Sequence, residues 1–113
     1  MTTQIWHNPR CSKSRQTLEL LKENGVEPEI ILYKDDAPSA ADIRAVLSAL
    51  GKPPIELIRQ KDAAFKELGL EGADDDTLII AMAAHPAIIE RPVVRHEGKA
   101  AIGRPPEDVL KLF

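Results

Sequence analysis

The sequence predicts an α/β protein, a central mixed four-stranded sheet with a helical insertion between strands 2 and 3. Three observations lead there. Residues 3–33 run as short strand, amphipathic helix and apolar strand, with connections short enough for a βαβ unit. Residues 39–86 carry helical periodicity. The closing stretch sets two short β runs around Glu97-Gly98 and ends on a helix opened by proline.

Thr3 to His7 reads as the first strand, and Pro9 after it disfavours helical backbone at Asn8. From Ser12 the spacing turns helical, with Leu18, Leu20 and Leu21 on one side and Gly25 just past the end, where positive φ is tolerated. Glu29 to Tyr33 contains the run Ile30, Ile31, Leu32 and has the look of a buried parallel strand. Ser39 and Asp42 form a capping-box-like pair, with Asp in place of the usual Glu or Gln, ahead of Ile43, Val46, Leu47 and Leu50; Gly51 ends that helix. Pro53-Pro54 separates it from a short amphipathic piece over Ile55 to Arg59. Asp62 can cap a short helix carrying Phe65 and Leu68 and stopped at Gly69, and Asp74 to Asp76 precede a helix with Leu78, Ile79 and Met82 that closes at His85-Pro86. Val93 to Arg95 and Ala100 to Ile102 flank the Glu97-Gly98 turn as a hairpin. Pro106 opens a last helix, expected to pack through Val109, Leu110 and Phe113, and Trp6 is assigned to the core. This order is the thioredoxin-like plan with an enlarged middle; periodicity supports the elements but does not fix the strand order.

A length of 113 residues argues for one compact domain over 1–113, large enough to bury a core without metal or disulfide staples. A formal net charge of -3 gives no general attraction to nucleic acid or an acidic membrane, so any anion site must be a local cluster of cations. No apolar run is long enough to span a bilayer, and Met1-Thr2-Thr3-Gln4-Ile5 has neither the basic start nor the apolar stretch of a signal peptide. The single cysteine rules out an internal disulfide and a zinc site of paired thiolates, which fits the reducing cytoplasm. His85 and His96 lack partners at metal-ligand spacing and Asp74 to Asp76 read as a helix cap, so no metal is expected.

That cysteine, Cys11, stands where the first strand has ended and the first helix begins. Free N–H groups and the positive end of the helix dipole converge there, and both favour a thiolate over a thiol. Arg10, Lys13 and Arg15 add positive charge along the sequence. The competing reading is a buried structural cysteine, since free Cys is among the most buried residue types; the polar, cationic neighbours speak against a core. Ser14 occupies the position where a dithiol redox protein would carry its resolving thiol. Any adduct on Cys11 must therefore be cleared by a thiol from outside the chain.

The run His7-Asn8-Pro9-Arg10-Cys11-Ser12-Lys13-Ser14-Arg15 resembles the active-site loop of the glutaredoxin-coupled arsenate reductase family. The likeness continues through Glu27 to Tyr33, Leu57-Ile58-Arg59-Gln60-Lys61, Glu90-Arg91-Pro92-Val93-Val94 and Ile102-Gly103-Arg104-Pro105-Pro106, in the family's order, and is nearest to a short subgroup. The resemblance implies a thioredoxin-like fold and a cysteine that attacks arsenate or a similar oxyanion. The resemblance further implies that glutathione acts as an external thiol co-substrate rather than a bound cofactor, and that glutaredoxin clears the mixed disulfide. By position Cys11 matches the nucleophile, Arg59, Arg91 and Arg104 match the three oxyanion-binding arginines, and His7 and Ser14 match residues that assist the thiolate. Pro92 matches the position of a cis-proline. Arginine suits this task, being permanently charged and offering a planar fork of donors to a tetrahedral anion.

Each of these residues also has a plainer reading. Arg59 would be a surface charge on a short helix, and Arg91 and Arg104, each before a proline, would sit in solvent-exposed turns. His7 would only bond backbone at a strand end, and Ser14 would only cap its helix. Two other functions share the same residues. One is a glutathione-linked thiol–disulfide enzyme acting on another substrate. The other is a non-enzymatic, polymerase-binding redox regulator of this fold, whose usual Cys-x-x-Cys switch Ser14 removes.

Overall fold

The computed structural model describes residues 2–113. It divides into two compact units, one formed by the residues up to 36 together with 91–113, the other by 37–90.

The first unit holds the sheet. Strand β1 (Thr3–Trp6) leads through a short loop to helix α1 (Ser12–Glu23) and returns to β2 (Glu29–Ile31); β3 (Val93–His96) and β4 (Lys99–Ile102) complete the order β2-β1-β3-β4. β1 and β2 are parallel, with Ile5 opposite Ile30, whereas β3 runs antiparallel to both β1 and β4. The mixed four-stranded sheet and the helical insertion between β2 and β3 are those expected from the sequence. The hairpin turn lies at Glu97 (φ 48°) and Gly98 (φ 77°), both in the left-handed region that a two-residue turn requires. Val94 and Ile5 meet across β1 and β3 and join Leu21 of α1 with Val109 and Leu112 near the C-terminus in one buried cluster. Leu21 is fully buried in it, so Leu21→Ala is expected to cost about 2–5 kcal/mol of stability, measurable as a lowered urea midpoint at unchanged slope.

The structure departs from the sequence expectation in three places. The apolar run at β2 is parallel but not buried: Ile30 is 44% and Leu32 41% exposed, while Tyr33 is fully buried. β2 is an edge strand, and alternating side chains there point to opposite faces, so the run divides between them. The last helix is 3-10 over Pro106–Leu112, and it buries Pro106, Val109 and Leu112 rather than Leu110 and Phe113; Phe113 is 51% exposed. Three residues per turn put 106, 109 and 112 in line, which a period of 3.6 would not. Third, the amphipathic piece ends early. A 3-10 turn covers Pro54–Leu57, after which Ile58 is extended and bridges Ile89 and the Arg59 N–H donates to the Ile88 carbonyl at 2.8 Å, so Arg59 lies outside the helical turn.

The second unit is helical: α2 (Ala40–Leu50), α3 (Ala63–Glu67) and α4 (Asp75–Ala84), followed by a 3-10 turn at Pro86–Ile88. Each α-helix starts at the expected cap. Ser39 Oγ accepts from the Asp42 N–H at 3.1 Å while Asp42 Oδ2 accepts from the Ser39 N–H at 3.3 Å. Asp62 accepts from Ala64 N–H and Asp74 from Thr77 N–H. Ile43, Val46 and Leu47 of α2 and Leu78, Ile79 and Met82 of α4 are buried, and the two helices pack together with Arg44 paired to Asp76 at 3.2 Å. Among the described residues no helix is long and apolar enough to cross a membrane.

Candidate active site

Cys11 occupies the N-cap of α1, with extended backbone (φ -96°, ψ 123°) that turns the chain from the loop into the helix. The loop before it is shaped by its own polar groups. The Asn8 carbonyl accepts from the Cys11 N–H at 3.0 Å, Asn8 Oδ1 accepts from the Arg10 N–H at 3.0 Å, and Arg15 Nη1 donates to the Pro9 carbonyl at 2.8 Å. Asn8 is suited to this because its side chain can fold back on backbone two residues ahead. The thiol is partly exposed and therefore reachable.

Two arginines of the same unit come to this thiol from the far end of the sequence. Arg91 hydrogen-bonds to Sγ and adds its charge, and Arg104 places Nη2 3.8 Å from Sγ while its Nε donates to the Arg91 carbonyl at 2.8 Å. Partial burial by itself pushes the Cys11 thiol up. The Ser14 N–H, the hydrogen bond and charge of Arg91, and the Lys13 N–H together outweigh it, and the thiol lies below its ordinary range. Sγ closes no side-chain cap hydrogen bond of full geometry, so the Ser14 and Lys13 amides act on the sulfur as looser donors at the positive end of α1.

His7 and Ser14 are both buried beside the loop. His7 Nδ1 and Ser14 Oγ share a hydrogen bond of 2.6 Å, and Ser14 Oγ accepts from the Asn8 N–H at 3.0 Å. Ser14 thus touches Cys11 through its backbone N–H, while its hydroxyl ties the loop to His7. Burial first, and then the positive charges of Arg15 and Lys22, hold His7 below the usual histidine range. The unfolded chain therefore takes up a proton that the folded one refuses as pH falls below about 6.5, and stability rises with pH through that window. Urea midpoints are expected to drop between about pH 7 and pH 5, and a His7→Gln variant should show a flatter profile over the same range.

Cys11, His7, Ser14, Arg91 and Arg104 are thus gathered within one unit. Arg59 belongs to the helical unit, where Nη1 pairs with Asp62 Oδ2 at 2.9 Å. The Arg91–Pro92 peptide bond is cis, as the family pattern implied, and so is Arg104–Pro105. Among the described residues no group of three or more His, Cys, Asp or Glu side chains is placed to hold a metal ion. A hollow of about 320 Å³ opens beside the loop, with His7, Arg10, Leu32, Lys34 and Asp35 on its wall.

Thr17 has no role among the residues singled out by motif, yet it is fully buried on the α1 face that carries Ser14 and Leu21. Its signal was present: 14, 17, 18 and 21 recur at helical spacing, and two small polar residues on that stripe mark a close approach by another segment. The arrangement can hold an ionised sulfur and, against the same arginines, a tetrahedral anion. Nucleophilic attack by one anion on another needs such a cationic setting.

The chain matches the ArsC family over residues 6–112. It is 53% identical over 111 residues to the uncharacterized Escherichia coli (strain K12) protein YfgD, across 96% of this chain and 93% of that one. It is 45% identical over 108 residues to a Neisseria meningitidis protein named arsenate reductase, across 93% and 92% of the two chains. Among solved structures, the arsenate reductase from Vibrio cholerae matches with a TM-score of 0.96 at 43% identity, covering 100% of this chain and 98% of that one.

Proposed function

The chain belongs to the ArsC family, and from that premise we propose that it is a thiol-dependent oxidoreductase that reduces arsenate to arsenite in the cytoplasm. The observation that carries this reading is the Cys11 sulfur, favoured as thiolate and faced by Arg91 and Arg104. In this reading the two guanidinium groups bind the oxyanion against Cys11. The thiolate attacks arsenic, an S–As bond forms, and an arsenate oxygen leaves as water after taking up protons. Glutathione then attacks the Cys11 sulfur. A disulfide forms, the S–As electron pair stays on arsenic, and arsenic(V) becomes arsenic(III) while two thiols are oxidised. Glutaredoxin reduces the mixed disulfide and returns Cys11.

The need for an outside thiol rests on the residues themselves, because Cys11 is the only cysteine in the chain. The hollow beside the loop, with Arg10 and Lys34 on its wall, suits a carboxylate-bearing thiol such as glutathione. His7 and Ser14 take the part of positioning residues that fix the loop. Arg59 is assigned to the oxyanion on family position.

The test is a coupled assay in which purified protein, glutathione, glutaredoxin and glutathione reductase are supplied with arsenate and NADPH consumption is followed. Arsenate-dependent turnover is expected. A glutathione adduct that forms on Cys11 at a rate arsenate leaves unchanged would instead identify a thiol–disulfide enzyme with another substrate.

A further inference from the structure

Gly103 differs from every other glycine in the chain. The others take positive φ and have nothing within 4 Å of where a Cβ would stand, so they serve backbone conformation. Gly103 has no such φ and no such space. A Cβ there would lie 2.5 Å from Thr17 Oγ1, 2.8 Å from Pro92 Cγ and 3.1 Å from Thr17 Cγ2. These neighbours cannot swing away easily. Thr17 is fully buried with Oγ1 donating to the Lys13 carbonyl at 2.8 Å, and the Pro92 ring is buried ahead of β3. The segment is also tied at the glycine, whose N–H donates to the Pro92 carbonyl at 2.9 Å.

The next residue is Arg104. Its guanidinium spans from the Arg91 carbonyl at 2.8 Å to Cys11 Sγ at 3.8 Å, contacts that depend on where the backbone at 103 sits. We propose that Gly103 is a positioning residue for the thiol site: its missing side chain lets the turn after β4 seat against Thr17 and Pro92, and that seat delivers Arg104 to Cys11. A methyl group at 103 must push the turn off α1 by a good fraction of an ångström. Neither a positive φ nor a chain reversal requires a glycine here. The charged groups facing the sulfur are Arg91, from the turn before β3, and Arg104; the α1 side contributes the amides of Lys13 and Ser14.

The inference rests on Cys11 being the reactive group, and its test needs no arsenate. The rate of Cys11 alkylation by iodoacetamide is measured against pH, together with thiolate absorbance in the ultraviolet, on protein shown to be folded by circular dichroism. Gly103→Ala is expected to raise the titration midpoint by about one pH unit, a roughly tenfold loss of thiolate below it. Thr17→Ala in the same chain removes two of the three close contacts and should recover part of the shift. Thr17→Ser, which keeps Oγ1, should recover little. In an Arg104→Ala background Gly103→Ala should add nothing further, since the effect travels through that side chain. The proposal is overturned if folded Gly103→Ala titrates like the parent protein, or if the shift persists undiminished without Arg104. It is overturned equally if neither Gly103→Ala nor its Thr17→Ala double variant folds, because Gly103 would then serve the fold and not the site. Absence of arsenate turnover in the parent protein would bear on the proposed activity alone and leave these titrations informative.

Discussion

Replacing Cys11 with serine is expected to take arsenate turnover down to background, a loss of about four orders of magnitude or more. A serine hydroxyl at this place keeps the size and loses the ionisation. The cationic surroundings that draw a thiol below its ordinary range cannot bring an alcohol near neutrality, and oxygen does not form the disulfide that the proposed mechanism requires. The coupled NADPH assay reads the loss directly. Mass spectrometry of the same variant should find no glutathione adduct, because no other cysteine exists to accept one. The substitution also removes a group whose lowered pKa makes the folded state more stable as pH rises from the folded value toward the ordinary thiol range. The gain in stability on the alkaline side should therefore shrink in Cys11→Ser, and urea midpoints on either side of neutrality check the sign.

Removing either of the arginines that face the sulfur should have the next largest effect. Arg91→Ala and Arg104→Ala are each expected to lower kcat/KM for arsenate by about 10²–10³-fold, or roughly 3–4 kcal/mol, the usual cost of one preorganised donor to a developing anion. The two should not behave alike. Arg91 bonds the sulfur and charges its surroundings, so its loss raises the thiol pKa and slows alkylation at neutral pH. Arg104 has one donor on the Arg91 carbonyl and another near Sγ, so its loss also frees the Arg91 segment, and the double variant should cost less than the sum. Lysine at position 104 should restore little, because one ammonium cannot bridge carbonyl and sulfur as the planar Arg104 guanidinium does. Arg59→Ala provides the contrast: with Arg59 paired to Asp62 in the helical unit, the alkylation profile of Cys11 is expected to stay as it was.

Local signals in the sequence carried much of the architecture. The caps at Ser39, Asp62 and Asp74, the ends at Gly25 and Gly51 and the Glu97-Gly98 turn are all short-range chemistry, settled within four or five residues. Cys11 was equally legible, since strand end, polar loop and helix start are contiguous. Burial was less so. Ile30 and Leu32 are apolar enough for a core, yet Ile30 lies on an edge strand and Leu32 just past its end, both face outward in part, and the position of a strand in its sheet is not encoded in the strand. Phe113 likewise has a core composition but misses the buried line set by a 3-10 period.

The amino-acid order alone determined what the proposed chemistry has to work with: one thiol at a helix start and no partner thiol in the chain. Tertiary structure decided which cations serve it. Arg91 and Arg104 lie 80 and 93 residues from Cys11 along the chain and reach it because β3 and β4 add to the sheet beside β1, with Gly103 leaving room for the turn to close on α1. Electrostatic influence falls with distance in space and not with separation in sequence, so a thiol's neighbours can be named in advance only for the turn of helix it begins.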